Sequence, residues 1–348
     1  MKKTLLTICL VWMCFSLSAQ KIIDLSGKWS FSIDRQDNGE KEKWFSHTLN
    51  DFINLPGSMP EKLKGDEVTA KTQWTGSLYD SSYYYNPYME KYRKEGNIKF
   101  PFFLTPDKHY VGAAWYQKEV NIPADWKGER ILLFLERPHI ETTVWVNGQK
   151  TGMQNSLCVP HQYDITRYVR PGKCTITIRV DNRIKEINVG PDSHSITDQT
   201  QGNWNGIVGR ICLQTTPKTY FDDIQIYPEP EQKLARVKVV IKGTGTAKVK
   251  LSAESFNTDK KHIVPAIQQE IKLNKGVTET EMVLPMGNDM LLWDEFHPAL
   301  YKLKAEVTNG KKTEIKEIQF GIRRFEIKGK WFYVNGRKTQ LRGTVENC

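Results

Sequence analysis

Apolar residues recur at every second position along most of this chain, the rhythm of strands rather than of helices. In Thr175-Ile176-Thr177-Ile178-Arg179-Val180 the alternation is strict and puts Ile176, Ile178 and Val180 on one face. Asp181-Asn182 ends that strand. Ile131-Leu132-Leu133-Phe134-Leu135 is instead a continuous apolar run, suited to a strand covered on both faces. Thr142-Thr143-Val144-Trp145-Val146 is closed by Asn147-Gly148, a dipeptide that tolerates positive φ at both central positions of a hairpin turn. Long helical periodicity is absent from this region. The pattern predicts an antiparallel sandwich over roughly residues 21 to 220.

A second set of strands follows a seam at Pro228 and Pro230. Val237, Val239 and Ile241 share one face, and further strands are expected around 248–252, 279–284 and 301–307. Gly243-Thr244-Gly245 reads as a turn between two of them; no helix follows, which excludes a phosphate-binding loop. Short, regularly spaced strands of this kind predict a small immunoglobulin-like sandwich, without the Cys…Trp…Cys spacing of antibody domains. Near the end, Trp331-Phe332-Tyr333-Val334 and Thr339-Gln340-Leu341 flank Asn335-Gly336 as another hairpin. The stretch Arg342–Cys348 then stops, which suggests a chain cut within a third domain.

Composition narrows the class. The 348 residues are 39% hydrophobic and 11% aromatic, enough for packed cores and unlike a disordered chain. Lys2 and Lys3, the apolar run Leu5 to Leu17 and the small pair Ser18-Ala19 have the layout of a secretory signal over residues 1–19. Export to the periplasm or the extracellular space is therefore expected, with cleavage near Ala19. No other stretch approaches membrane-spanning length. The formal charge of +10 comes from scattered basic residues, which fits a solvated surface, with an acidic polymer substrate as the alternative; a nucleic-acid partner is not expected of an exported chain. Cys158, Cys174, Cys212 and Cys348 lack C-x-x-C spacing, so no metal site is expected; buried free thiols are the plainer reading, though the compartment permits a disulfide.

Taken together, the segments resemble the start of glycoside hydrolase family 2, which includes many β-galactosidases, β-glucuronidases and β-mannosidases. Leu25-Ser26-Gly27-Lys28-Trp29-Ser30-Phe31 is similar to its first strand, and Trp115-Tyr116-Gln117-Lys118-Glu119-Val120 with Ile122-Pro123 to a later one. Val144-Trp145-Val146-Asn147-Gly148, Asp164-Ile165-Thr166 and Val180-Asp181-Asn182 resemble the centre of its sugar-binding domain. Trp204-Asn205-Gly206-Ile207 with Gly209-Arg210 resembles its "NGI-x-GR" loop. Trp293, His297-Pro298-Ala299-Leu300-Tyr301 and Phe320-Gly321-Ile322-Arg323 are similar to markers of its second domain, and Val334-Asn335-Gly336 with Leu341-Arg342-Gly343 to the entry into its barrel.

The resemblance implies an all-β chain: a jelly-roll-like sandwich over 20–220, an immunoglobulin-like sandwich over 221–323, and at 324–348 the first hairpin of a missing (β/α)₈ barrel. It also implies retaining hydrolysis by two glutamates on later barrel strands, beyond Cys348, so no residue of this chain is assigned a catalytic role. An oligo- or polysaccharide is the implied substrate. No cofactor is expected, and homo-oligomer formation stays open.

The stretch from Asp198 to Gly206 has the composition of a sugar site, in which planar polar side chains fork hydrogen bonds to hydroxyls while rings cover the C–H face. Its substrate-binding candidates are Asp198, Gln201, Asn203, Trp204 and Asn205. The family's acidic position, counted back from Gly206-Ile207, falls nearer Thr200 than Asp198. The alternative is a polar loop that packs Trp204 into the core. Residues 72 to 110 crowd Trp74, Tyr79, Tyr83, Tyr84, Tyr85, Tyr88, Tyr92, Phe100, Phe102 and Phe103 into one long loop, read either as a cleft wall or as a packing excursion. Asp294-Glu295 reads as turn residues, and Cys158 near His161 lacks a third orienting group. Two functions stand: the front part of an exported β-glycosidase, inactive alone, or a stand-alone carbohydrate-binding or adhesive module.

Overall fold

The computed structural model describes residues 21–75, 82–100, 105–185 and 202–344. Contacts divide the chain into two compact units, Lys21–Thr216 and Pro217–Leu341. No helix among the described residues is long and apolar enough to cross a membrane.

The first unit is a jelly-roll-like sandwich of two main antiparallel sheets. The six-stranded sheet runs Gln149–Asn155, Glu141–Val146, Gly172–Asp181, Ala113–Ile122, Gly27–Asp34, Asp51–Leu55. The four-stranded sheet runs Ile22–Asp24, Ile211–Thr216, Arg130–Leu135, His161–Asp164. Period-two alternation explains the core between them: Ile176, Ile178 and Val180 meet Leu133, Leu135 and Leu213, all fully buried. The Asn147-Gly148 turn has φ of 50° and 75°, the left-handed pair that a two-residue hairpin needs. Leu132 and Leu133 are buried as expected of a doubly covered strand, whereas Phe134 is half-buried beneath the Arg210 guanidinium.

The outer face of the six-stranded sheet is covered as well. Trp44, Phe45 and Leu49 pack over Trp115 and Trp145, so alternate residues of Gly172–Asp181 that point away from the main core, Thr177, Arg179 and Asp181, are buried too. A third, small sheet of Gly57–Ser58, Gly206–Ile207 and Pro138–His139 closes one end of the sandwich.

The second unit is an immunoglobulin-like sandwich built on two long strands, Leu234–Ser255 and Ile263–Pro285. Val237, Val239 and Ile241 face its core with Tyr301, Leu303 and Val307. Gly243-Thr244-Gly245 is not a turn. The strand continues through it with a shift of register, pairing Tyr220–Glu229 before the shift and Leu300–Asn309 after it. Gly245, at φ 83°, supplies the left-handed residue of that bulge, which lets one strand serve both layers. Asp294 holds a turn, its Oδ1 accepting from the backbone N–H of Phe296 and His297. A three-stranded sheet of Phe325–Lys328, Trp331–Val334 and Arg337–Thr339 follows.

Candidate functional site

One end of the first unit gathers most of the unusual polar residues. Strand Gly172–Asp181 ends there, period two puts Arg179 and Asp181 on one face, and Arg183 follows just beyond the strand. The Arg179 guanidinium donates to Asp37 at 2.6 Å and to Asp181 at 2.9 Å, and stands 3.4 Å from Glu141. Arg183 donates to Asp37 and Asp181, each at 2.6 Å, while Lys185 bridges Glu141 and Asp181, each at 2.8 Å. Asp181 is fully buried. Burial alone would raise its pKa, but hydrogen bonds from Arg183 and Lys185 and the charge of Arg179 outweigh that and hold it well below the usual carboxylate range. Asp37 is lowered by the same balance between burial and its two arginine partners. Three acids and three bases thus neutralise one another at the point where the chain leaves the sheet.

Beside this network lies a set of asparagines. Asn182 accepts from Gly112 N–H at 2.8 Å and donates to the Tyr110 carbonyl at 2.8 Å and to Asn203 Oδ1 at 3.0 Å. Asn203 donates in turn to Thr75 Oγ1 at 2.8 Å and to the Asn182 carbonyl at 3.1 Å, and its Oδ1 meets His139 Nε2 at 3.1 Å. Asn205 accepts from the Tyr116 hydroxyl at 2.8 Å and donates to the carbonyls of Gly112 and Val180 at 2.9 and 3.0 Å. Tyr116 is fully buried, and that burial pushes its hydroxyl pKa well up. The Asn182–Asn203 pair ties together the chain before and after residues 186–201.

The sequence-derived candidates divide accordingly. Asp198 and Gln201 lie outside the described residues. Asn203 and Asn205 are buried, and their amides are committed to protein partners rather than held out as forks. Trp204 stays half-buried, stacked on His139 at 4.5 Å between centroids and 23° between planes. Gly206 has φ 142°, and a Cβ there would sit 2.4 Å from the Gly57 carbonyl, so the chain turns back into the small sheet with no room for a side chain. What this end offers chemically is a rigid, charge-balanced frame with one aromatic platform. The Asp37–Glu141–Asp181 network was not legible in the sequence beforehand, although Arg179 and Asp181 at the strand's end, with Arg183 just beyond it, were its visible signal.

The aromatic stretch 72–110 forms its own small cluster. Trp74 packs edge-on to Phe100 at 4.8 Å and against His109 at 4.6 Å, and Tyr83 stacks on Phe100 at 4.7 Å. Tyr83 and Phe100 are buried, while Tyr84 and Tyr88 remain exposed. Tyr79, Phe102 and Phe103 lie outside the described residues. Cys174 and Cys212 are buried free thiols and Cys158 is an exposed one; burial pushes the Cys174 pKa up to about 11. No three His, Cys, Asp or Glu side chains among the described residues converge as metal ligands would.

Comparison with known proteins follows the same division. The model of the glycosyl hydrolases family 2 sugar binding domain matches residues 22–217, and a second glycosyl hydrolases family 2 model matches 219–323. The beta-glucuronidase of Paenibacillus borealis is 24% identical over 344 residues, covering 93% of this chain and 49% of that protein. Human beta-glucuronidase is 24% identical over 358 residues, covering 92% and 47%. The beta-galactosidase of Oenococcus oeni is 23% identical over 343 residues, covering 93% and 30%. Among solved structures, a beta-glucuronidase from an uncultured Clostridium superimposes with a TM-score of 0.61 at 21% identity, over 92% of this chain and 48% of that one. That of Ruminococcus gnavus in complex with uronic isofagomine gives 0.61 at 19% identity, over 94% and 48%. The chain spans about half or less of the length of these relatives.

Proposed function

The chain belongs to glycosyl hydrolases family 2, and from that premise we propose that it is the sugar-handling front part of an exported, retaining β-glycosidase acting on terminal β-linked sugars. The observation that carries this reading is the polar frame at the end of the first unit. It joins Asn182 to Asn203 and holds Trp204 half-buried against His139. A rigid base lowers the entropic cost of holding a recognition loop against a sugar. Trp204 supplies a flat face to the C–H side of a pyranose, and the segment containing Asp198 and Gln201 supplies hydroxyl partners.

The two carboxyls of the retaining reaction stand about 5 Å apart, one attacking the anomeric carbon while the other protonates the leaving oxygen and later takes a proton from water. The acids of the described frame are unsuited to either role. Asp37, Glu141 and Asp181 are locked in ion pairs, and the lowered pKa of Asp37 and Asp181 is the opposite of what a general acid needs. In keeping with what the family resemblance implies, the reading assigns catalysis to carboxylates outside the two sandwiches. Relatives named beta-glucuronidase and beta-galactosidase make glucuronides and galactosides the first substrates to assay.

The test is an assay of the complete gene product and of the 348-residue chain on p-nitrophenyl β-glucuronide, β-galactoside and β-mannoside, with the product anomer followed by NMR. The complete protein is expected to release the β anomer first, the purified chain to release nothing, and the secreted product to begin at Gln20. Turnover by the purified chain would refute the assignment of the carboxylates, and an α anomer would refute retention.

A further inference from the structure

A polar pocket lies on the outer face of the six-stranded sheet, at the opposite end of strand Gly172–Asp181 from the frame described above. Thr175 lines it and Asp181 belongs to the frame, six residues apart in one strand, or about 20 Å at the rise of an extended chain. The pocket encloses about 360 Å³, within the range of small-ligand sites and sufficient for one pyranose ring.

Its floor is aromatic. Phe45 stacks on Trp145 almost in parallel, 5.2 Å between centroids and 6° between planes, and lines the pocket. Its polar groups come from two strands, the Asn147-Gly148 turn and the segment 45–48 that crosses them. Gln117 is buried, and its amide nitrogen donates to the His47 carbonyl at 3.0 Å and to Thr177 Oγ1 at 3.1 Å. The Gln117 carboxamide oxygen is left without a hydrogen bond among the described residues, as are the hydroxyls of Ser46, Thr48 and Thr175, which line the same space. The rim is fixed in advance: Asn147 accepts from Thr175 N–H at 3.0 Å and donates to the Tyr168 carbonyl at 3.1 Å. A ring floor, an amide oxygen and several hydroxyls on a rigid rim are what a sugar requires: C–H bonds on the ring, hydroxyls on the acceptors and donors, little ordering on binding.

The lining is also poor in charge. It contains no Asp, Glu, Lys or Arg, and His47 is its one ionisable side chain, so it offers no fixed cation to a uronate carboxylate or a sulfate. We infer that this pocket is a second carbohydrate site, holding one ring of a neutral, β-linked polysaccharide chain away from the site where a terminal sugar is handled. The inference rests on the sugar-handling reading above. It extends that reading from a terminal sugar to the polymer carrying it.

The experiment is calorimetric titration of the mature chain with xylohexaose, cellohexaose and laminarihexaose, with a hexamer of galacturonic acid as the charged comparison. At least one neutral hexasaccharide is expected to bind and the charged one not to bind. Ser46→Trp fills the pocket from an exposed position and is expected to weaken binding at least about ten-fold. Phe45→Leu keeps apolar packing but removes the flat ring, and is expected to weaken it several-fold. Circular dichroism melts establish that each variant is folded, and Ser46→Trp carries the test if Phe45→Leu is unstable. No binding of any neutral hexasaccharide, preference for the charged hexamer, or affinity unchanged by Ser46→Trp overturns the inference. Each of these results leaves the glycosidase reading to be decided separately by the hydrolysis assay.

Discussion

Asn205 shows how the same residue type serves two chemistries. In a loop sequence, Asn203-Trp204-Asn205 looks like a pair of amide forks around a ring. Which way a loop side chain points is not encoded by any simple period, so composition alone could not separate a hydroxyl partner from a structural tie. The structure makes Asn205 the latter, with Tyr116, Gly112 and Val180 as its three partners. Asn205→Ala removes the acceptor of the buried Tyr116 hydroxyl and a donor from two carbonyls, of which Gly112 keeps the Asn182 N–H at 3.4 Å, and is expected to cost about 2–4 kcal/mol. A thermal melt of the variant checks this. An exposed sugar-binding amide would leave the melt unchanged, so the two roles give opposite results. Gly206 beside it was readable as a special backbone position only once its carbonyl neighbour at Gly57 was known.

At the level of the strand, Gly172–Asp181 was legible on its inner face and opaque on its outer one. Ile176, Ile178 and Val180 followed from alternation, but alternation says nothing of what covers Arg179 and Asp181 on the other face. They are buried because residues far away in sequence, Asp37 and Trp44 among them, fold over that side of the sheet. The glycine bulge at 243–245 escaped for a related reason: glycine and threonine mark a turn and a bent strand equally well, and only the partners on each side decide. The network at the strand end carries a pH signature. Asp181 and Asp37 bind protons less readily folded than unfolded, so the stability they contribute is complete above their ordinary pKa of 3.8 and is lost as pH falls below it. The melting temperature of the chain is expected to drop between about pH 4 and pH 2. Asp181→Asn should lower the unfolding free energy already at pH 7, by roughly 3–5 kcal/mol, because the buried Arg179 guanidinium and the half-buried Arg183 beside it then lose an anion. The variant should also show a shallower acid slope than the parent. An equal slope in both would mean that Asp181 does not carry the titration.

On the scale of the whole chain, both sandwiches and their order were visible beforehand, since strand patterns and hairpin dipeptides are local signals. The aromatic stretch 72–110 was not resolved by pattern, because its small core depends on Trp74 meeting Phe100 and His109 across the loop. Each sandwich closes its own core. Trp29, Tyr116 and Leu133 belong to one cluster, and Phe221, Val239 and Tyr301 to another. A domain that buries its own apolar layer satisfies the main requirement for folding alone. Residues 21–216 and 217–341, expressed separately, are therefore each expected to give a soluble product with a single cooperative melt. The acid-sensitive network lies wholly in the first fragment, so that fragment should lose stability below about pH 4 as the intact chain does. Asp181→Asn should change the melt of the first fragment alone. If 21–216 fails to melt cooperatively while the intact chain does, its core cluster is not sufficient by itself, and the sandwich must depend on chain beyond Thr216.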